Sequence, residues 1–180
     1  MSTETIVDAL AGARIGETFN FYRDGEQAGL RRERLRHYLD LRAAAPILLV
    51  GEAPGYRGAR VSGIPFTSER QLTGTGPAEA TATIVHRVLA ELQLADDVLL
   101  WNVVPTHPGT ARSNRHPTRV EVEAGLPFIR ELARGRQVIA VGRVAEKALG
   151  APYVRHPSHG GTTAFRLGLK RRLDLCRVGK

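Results

Sequence analysis

Cysteine is almost absent: Cys176 is the only one in 180 residues. A lone thiol excludes a disulfide framework and any all-cysteine metal cluster within one chain. Lysine is nearly as scarce, with Lys147, Lys170 and Lys180 as its three examples. No apolar run approaches the roughly 18–20 residues a transmembrane helix needs, which argues against a membrane span. The first residues, MSTETIVDALAGARIGE, carry no basic region ahead of an apolar core. No export signal is therefore expected, and the predicted compartment is the cytoplasm. Acidic residues are in the minority, 18 Asp+Glu against 26 Lys+Arg, leaving a formal charge of +8. That excess suggests a polyanionic partner. It also fits a simple arginine-rich composition, so charge alone leaves the matter open.

What remains is ordinary for a folded protein: 42% hydrophobic and 24% charged residues. The length suits one domain, taken as residues 1–180. Short apolar runs recur at even spacing. Pro46 to Gly51, Asp97 to Val104 and Gln137 to Gly142 are continuous rather than alternating, and Tyr153 to Arg155 is a shorter fourth. Such runs predict strands buried on both faces. The stretches Gly29–Ala44, Glu79–Leu94, Thr118–Arg134 and Val144–Leu149 carry apolar residues at helical spacing. Alternating strands and helices imply parallel crossovers. The predicted fold is a three-layer α/β/α sandwich around a central, mostly parallel four-stranded sheet.

In such sheets, sites gather at the carboxyl ends of the strands. After the first strand comes Gly51-Glu52-Ala53-Pro54-Gly55-Tyr56. Its glycines and proline shape a tight loop, and Glu52 places a carboxylate at the mouth of a buried strand. No Gly-Lys-Ser/Thr follows, so this is no Walker loop. Phe66 lies just ahead of Ser68 and Gln71, whose spacing fits a capping box at a helix start. Asn102 stands in an apolar strand end, where its amide must find partners; a nucleobase edge and a neighbouring loop backbone both suit it. The fourth strand runs into His156-Pro157-Ser158-His159-Gly160-Gly161. Histidines can ligate metals, and His107 and His116 lie elsewhere, but no cysteine or aspartate completes a ligand set. No metal is assigned.

Taken in order, these segments resemble the uracil-DNA glycosylase superfamily. Gly51-Glu52-Ala53-Pro54-Gly55 matches the first motif of its iron–sulfur, thermophile-type group, and Gly63-Ile64-Pro65-Phe66 matches the aromatic motif after it. Leu100 to Val104 resembles the asparagine strand, and Asn114-Arg115-His116-Pro117 an Asn-Arg-x-Pro segment. Val138 to Gly142 with Ala145 is similar to the strand–glycine–helix step. His156-Pro157-Ser158 matches the last motif. The resemblance runs from about Pro46 to His159.

It implies a DNA glycosylase; none of Lys147, Lys170 and Lys180 is an obvious Schiff-base nucleophile, so a monofunctional enzyme that uses water and no cofactor is expected. Glu52 and His156 would be catalytic: the first positions water, the second donates to the base oxygen. Phe66 would stack on an extruded base, Asn102 would read its edge, and Ala53 and Gly55 would complete the base pocket. Arg57, Arg60, Arg112, Arg115, Ser158 and His159 would hold the DNA backbone. The partner is DNA, and the chain is expected to act as a monomer.

Two departures carry weight. Gly125 stands where the cluster-bearing group would have a cysteine, so no iron–sulfur cluster is expected. Gly55 stands where the most specific uracil enzymes keep a tyrosine against the pyrimidine 5-position, so room for a 5-substituted pyrimidine is expected there. The duplex-filling wedge is undefined, with Phe165, Arg166 and Tyr56 as candidates. Two rival readings stay open: a catalytically weak DNA-binding sensor of modified bases, and a hydrolase or metal enzyme built on His107, His156 and His159.

Overall fold

The computed structural model describes residues 2–177, with side chains described through residue 173. Cys176 and Lys180 fall outside the described side chains. Four parallel strands form the central sheet: β1 (Ile47–Gly51), β2 (Val98–Asn102), and two further strands at Gln137–Val141 and Tyr153–Val154. A two-stranded hairpin, β3 (Gly109–Thr110) and β4 (Ser113–Asn114), precedes those last two, which are therefore β5 and β6. The sheet order is β2-β1-β5-β6, every pairing is parallel, and Gly51 lies opposite Asn102 in register.

Eight helices surround the sheet among the described residues: α1 (Thr3–Gly12), α2 (Ala28–Leu41), α3 (Ala59–Ser62), α4 (Glu69–Thr73), α5 (Ala80–Glu91), α6 (Arg119–Leu132), α7 (Arg143–Leu149) and α8 (Thr162–Arg177). No helix among the described residues is long and apolar enough to cross a membrane. The sequence-predicted strands and all four predicted helices, α2, α5, α6 and the short α7, appear within a few residues of their expected bounds. The capping box at Ser68 and Gln71 also forms. The one-turn helix α3 and helices α1 and α8 were not foreseen; the last two matter for the core. Each buries a narrow stripe, Ile6-Val7-Leu10 in α1 and Phe165 with Leu169 in α8, between residues too polar to show the period. Phe165 is fully buried, which removes it as a candidate wedge into duplex DNA.

Alternation along the strands divides the core. Leu48, Val50, Leu99, Trp101 and Ala140 face a cluster with Leu10, Leu35, Leu39, Ile129 and Leu132. Ile47, Leu49, Leu100, Ile139 and Val141 face another with Val85, Val88, Leu89, Phe165 and Leu169. This is the expected three-layer sandwich. Each fully buried aliphatic side chain contributes about 1.5–3 kcal/mol, so both faces hold the strands in register. β2 lies at one edge of the sheet, and Tyr38 of α2 covers it: the Leu100 N–H donates to Tyr38 Oη at 2.7 Å. That contact satisfies a donor that an edge strand otherwise leaves open.

The chain leaves β1 toward β2 on one side and leaves β5 toward β6 on the other. The carboxyl ends of β1 and β5 therefore flank a switch point, the usual place for a site in an open α/β sheet.

Candidate active site

A cavity of about 270 Å³ opens at this end of the sheet. That is near the lower end of the ~300–1,000 Å³ usual for small-ligand pockets. Its lining includes Glu52, Phe66, Glu79, Asn102, Asn114 and His156. The structure thus brings together all four strand-end residues singled out from the sequence. Ala53 and Gly55 also line it, as do Arg115, Ser158 and His159. Arg57, Arg60 and Arg112 are not among its lining residues.

Phe66 owes its place to a strained turn. Its φ is +53°, left-handed backbone that a bulky side chain rarely adopts. Ser62 braces the turn: its hydroxyl donates to the Thr67 carbonyl at 2.6 Å, and it accepts from the Ile64 N–H at 3.1 Å. The phenyl ring then lies on Gly51. A Cβ at Gly51 would collide with it, so this glycine is needed for close approach. Asn102 Oδ1 sits on the same spot, 3.2 Å from that Cβ position. Asn102 is 3% exposed, and its side-chain amide makes no hydrogen bond with any described residue. A buried amide without a protein partner is costly. Here it lines a cavity, where a ligand can satisfy it.

His156 is oriented by its own loop. The Ser158 N–H donates to His156 Nδ1 at 3.2 Å, and Ser158 Oγ lies 2.7 Å from the same nitrogen. With Nδ1 accepting, the neutral ring carries its proton on Nε2; this tautomer follows from the hydrogen-bond network. Burial pushes the imidazole below its usual titration range. The Glu52 carboxylate opposes that shift, while His159 and Arg155 reinforce it. The site therefore holds a neutral histidine with one N–H to give.

Glu52 is half-buried and has a partner that sequence reasoning missed. His116 Nδ1 donates to Glu52 Oε1 at 2.7 Å. His116 occupies the variable place in Asn114-Arg115-His116-Pro117, and nothing local in the sequence tied it to Glu52, 64 residues away. The segment is anchored on both sides. Asn114 Oδ1 accepts from the Tyr56 N–H at 2.9 Å. Arg115 makes two bonds to Glu121, at 2.7 and 2.6 Å. Arg115 lines the cavity, but its guanidinium is thus already engaged. Buried His107 faces the Pro54 and Thr110 carbonyl oxygens, each at 2.8 Å, tying the first motif's loop to the β3–β4 hairpin. Among the remaining arginines assigned to DNA, exposed Arg57 lies over the Tyr56 ring, and Arg60 lies over Phe19.

The space beside Gly55 differs from expectation. A Cβ at Gly55 or Gly58 would collide with the carboxylate of Glu79. The cavity wall at Gly55 is therefore formed by an acidic group from the start of α5, and both residues line the open volume. Burial pushes the Glu79 carboxyl above its usual range. It makes no side-chain hydrogen bond or ion pair with a described residue.

Gly125 also has a structural reason. A Cβ there would collide with the Val103 carbonyl and lie 3.3 Å from Pro105. Helix α6 packs too closely on the end of β2 for a cysteine side chain. Together with the single cysteine in the sequence, this site does not fit the iron–sulfur cluster of the group that the first motif resembles. Among the described residues, no three of His, Cys, Asp and Glu are grouped to hold a metal ion.

The model of the uracil DNA glycosylase superfamily matches residues 40–173. The chain belongs to this superfamily. A type-4 uracil-DNA glycosylase from Pyrobaculum aerophilum is 33% identical over 107 residues, covering 57% of this chain and 47% of that protein. The chain thus spans about half the length of that curated relative. The crystal structure of wild-type SMUG2 from Pedobacter heparinus matches with a TM-score of 0.67 at 14% identity, covering 99% of this chain and 98% of that one. At that identity the likeness speaks for the fold. The superfamily match includes every residue described above as lining the cavity.

Proposed function

We propose that this chain is a monofunctional DNA glycosylase. It flips a damaged or modified base, uracil or a 5-substituted pyrimidine, and hydrolyses its N-glycosidic bond to leave an abasic site. The observation that carries this reading is the convergence of Phe66, unpartnered Asn102, neutral His156 and Glu52 on one cavity. The extruded base stacks on Phe66, and the Asn102 amide takes its Watson–Crick edge. As the C1′–N bond lengthens, its electron pair moves onto the base, and the His156 Nε2–H stabilises the growing charge on a base oxygen. The sugar becomes oxocarbenium-like, and the Glu52 carboxylate, which lines the same cavity, stabilises it and orients water toward C1′. Water's oxygen bonds to C1′. Its proton passes to Glu52 and on to solvent, and the departing base is protonated from solvent.

His116 holds Glu52 in place for this role. Ser158, His159 and the exposed arginines grip the flanking phosphates, which gives the +8 charge a use. The test is a panel of labelled oligonucleotides, each with one altered base, incubated with the protein and then treated with alkali. Breaks that appear only after alkali support the reading. Nicking before alkali, with a borohydride-trapped covalent complex, would contradict monofunctional hydrolysis. No breaks with any base would overturn the glycosylase assignment.

A further inference from the structure

The carboxylate of Glu79 is an acidic group without a protein partner inside the base cavity. It fills the space over Gly55 and Gly58, where a Cβ on either would displace the carboxylate from this position. Phe66, Asn102 and His156 line the same cavity. Glu79 is fixed in the backbone turn that starts α5: its carbonyl accepts from the Thr83 N–H at 3.1 Å and from Thr83 Oγ1 at 3.2 Å. Its side chain makes no capping bond to the helix. Glu79 lines the open cavity, and its partly buried carboxylate still meets solvent there. A base seated against it removes that solvent, and a carboxylate shielded in this way without a donor costs free energy. A bound base that brings a donor removes that cost, and one that brings a methyl group does not.

We infer that Glu79 is a specificity-determining residue, which selects bases presenting a hydroxyl or amino hydrogen toward the Gly55–Gly58 wall and discriminates against a 5-methyl group there. This rests on the base-excision reading above and names the chemistry of the base it favours. The Gly55 departure thus does not simply enlarge the pocket. It exchanges an aromatic wall for an acidic one. Discrimination of this kind exceeds what shape alone supplies, because the rejected base leaves a buried polar group unpaired.

The experiment uses the full chain with oligonucleotides bearing uracil, thymine, 5-hydroxymethyluracil, cytosine or 5-hydroxymethylcytosine. Single-turnover rates are compared for the wild type, Glu79→Gln and Glu79→Leu. Melting curves confirm that each variant is folded. The wild type should excise the 5-hydroxymethyl base faster than its 5-methyl counterpart. Glu79→Leu should reduce that ratio about 10- to 100-fold, the range lost with one hydrogen bond to a charged group. Glu79→Gln keeps an oxygen acceptor and should fall between. Uracil excision with the hydroxymethyl-to-methyl ratio unchanged by Glu79→Leu would overturn the inference and leave the glycosylase reading standing. Failure of the wild type to excise any base would overturn the reading itself, and the inference with it. Should Glu79→Leu not fold, the Glu79→Gln ratio decides: equality with the wild type for all five bases would overturn the role.

Discussion

Removing the charge of Glu121 tests how the site is held together. Glu121 is 1% exposed and accepts from Arg115, from the Thr118 N–H at 2.8 Å and from the Glu17 N–H at 3.2 Å. The Arg115 guanidinium beside it holds the carboxyl at about 2 rather than 4.5. At about 1.36 kcal/mol per pH unit this converts to roughly 3 kcal/mol. Arg115 is 37% exposed, and solvent screening lowers the figure to about 2 kcal/mol. The folded carboxyl is more acidic than the unfolded one. The stabilisation is therefore complete above about pH 5 and is lost as pH falls toward 2. Glu121→Gln imitates the protonated group at all pH values. At pH 7 it should melt roughly 4–8 °C below the wild type, given about 2–4 °C per kcal/mol at this size. The gap should shrink by about half or more by pH 3 and close only as pH approaches 2. The assay is thermal unfolding followed by circular dichroism from pH 7 to pH 3. A constant gap across that range would refute the argument, because it would mean that the Glu121 charge is not what stabilises.

Further expectations concern the site directly. Gly51→Ala places a methyl group in the Phe66 ring; it should lower stability by about 1–3 kcal/mol and raise KM for the damaged strand in steady-state assays. His116→Ala removes an exposed side chain. It should leave the melting temperature within a degree or so while lowering kcat several-fold with KM unchanged. His156 should be neutral at pH 7 with its proton on Nε2, read from ¹⁵N chemical shifts of the ring; an Nδ1–H tautomer would contradict the assigned role. Gly125→Cys should destabilise by about 1–3 kcal/mol through contact with the Val103 carbonyl and should yield protein without iron–sulfur absorbance.

Much of the site was legible because strand chemistry is local. A continuous apolar run such as Pro46 to Gly51 implies a doubly buried parallel strand, and the residue after it must lie at the sheet's carboxyl edge. That logic places Glu52, Asn102 and His156 together without any contact information. Residues that arrive from elsewhere were not legible. His116 reaches Glu52 through a segment anchored by Tyr56 and Glu121, contacts that no sequence period records. Glu79 reads locally as a helix start, and Gly55 as empty space. Their meeting depends on how the loop before α5 folds back over the first motif. Phe165 shows the opposite error: an aromatic beside the histidine loop suggested a surface wedge, but helix α8 turns it into the core. The missed helices α1 and α8 have narrow apolar stripes, so their stability comes mainly from packing rather than from an intrinsic pattern.

The most direct test of the central claim compares turnover with binding for Glu52→Gln and His156→Ala. Single-turnover excision and DNA affinity are measured on the same uracil-containing oligonucleotide. Each substitution should slow excision about 100-fold or more, the size expected for loss of a preorganised transition-state contact, while affinity changes by no more than about threefold. Wild-type protein that binds the oligonucleotide but forms no abasic site, or variants that lose affinity and excision in equal measure, would contradict the account.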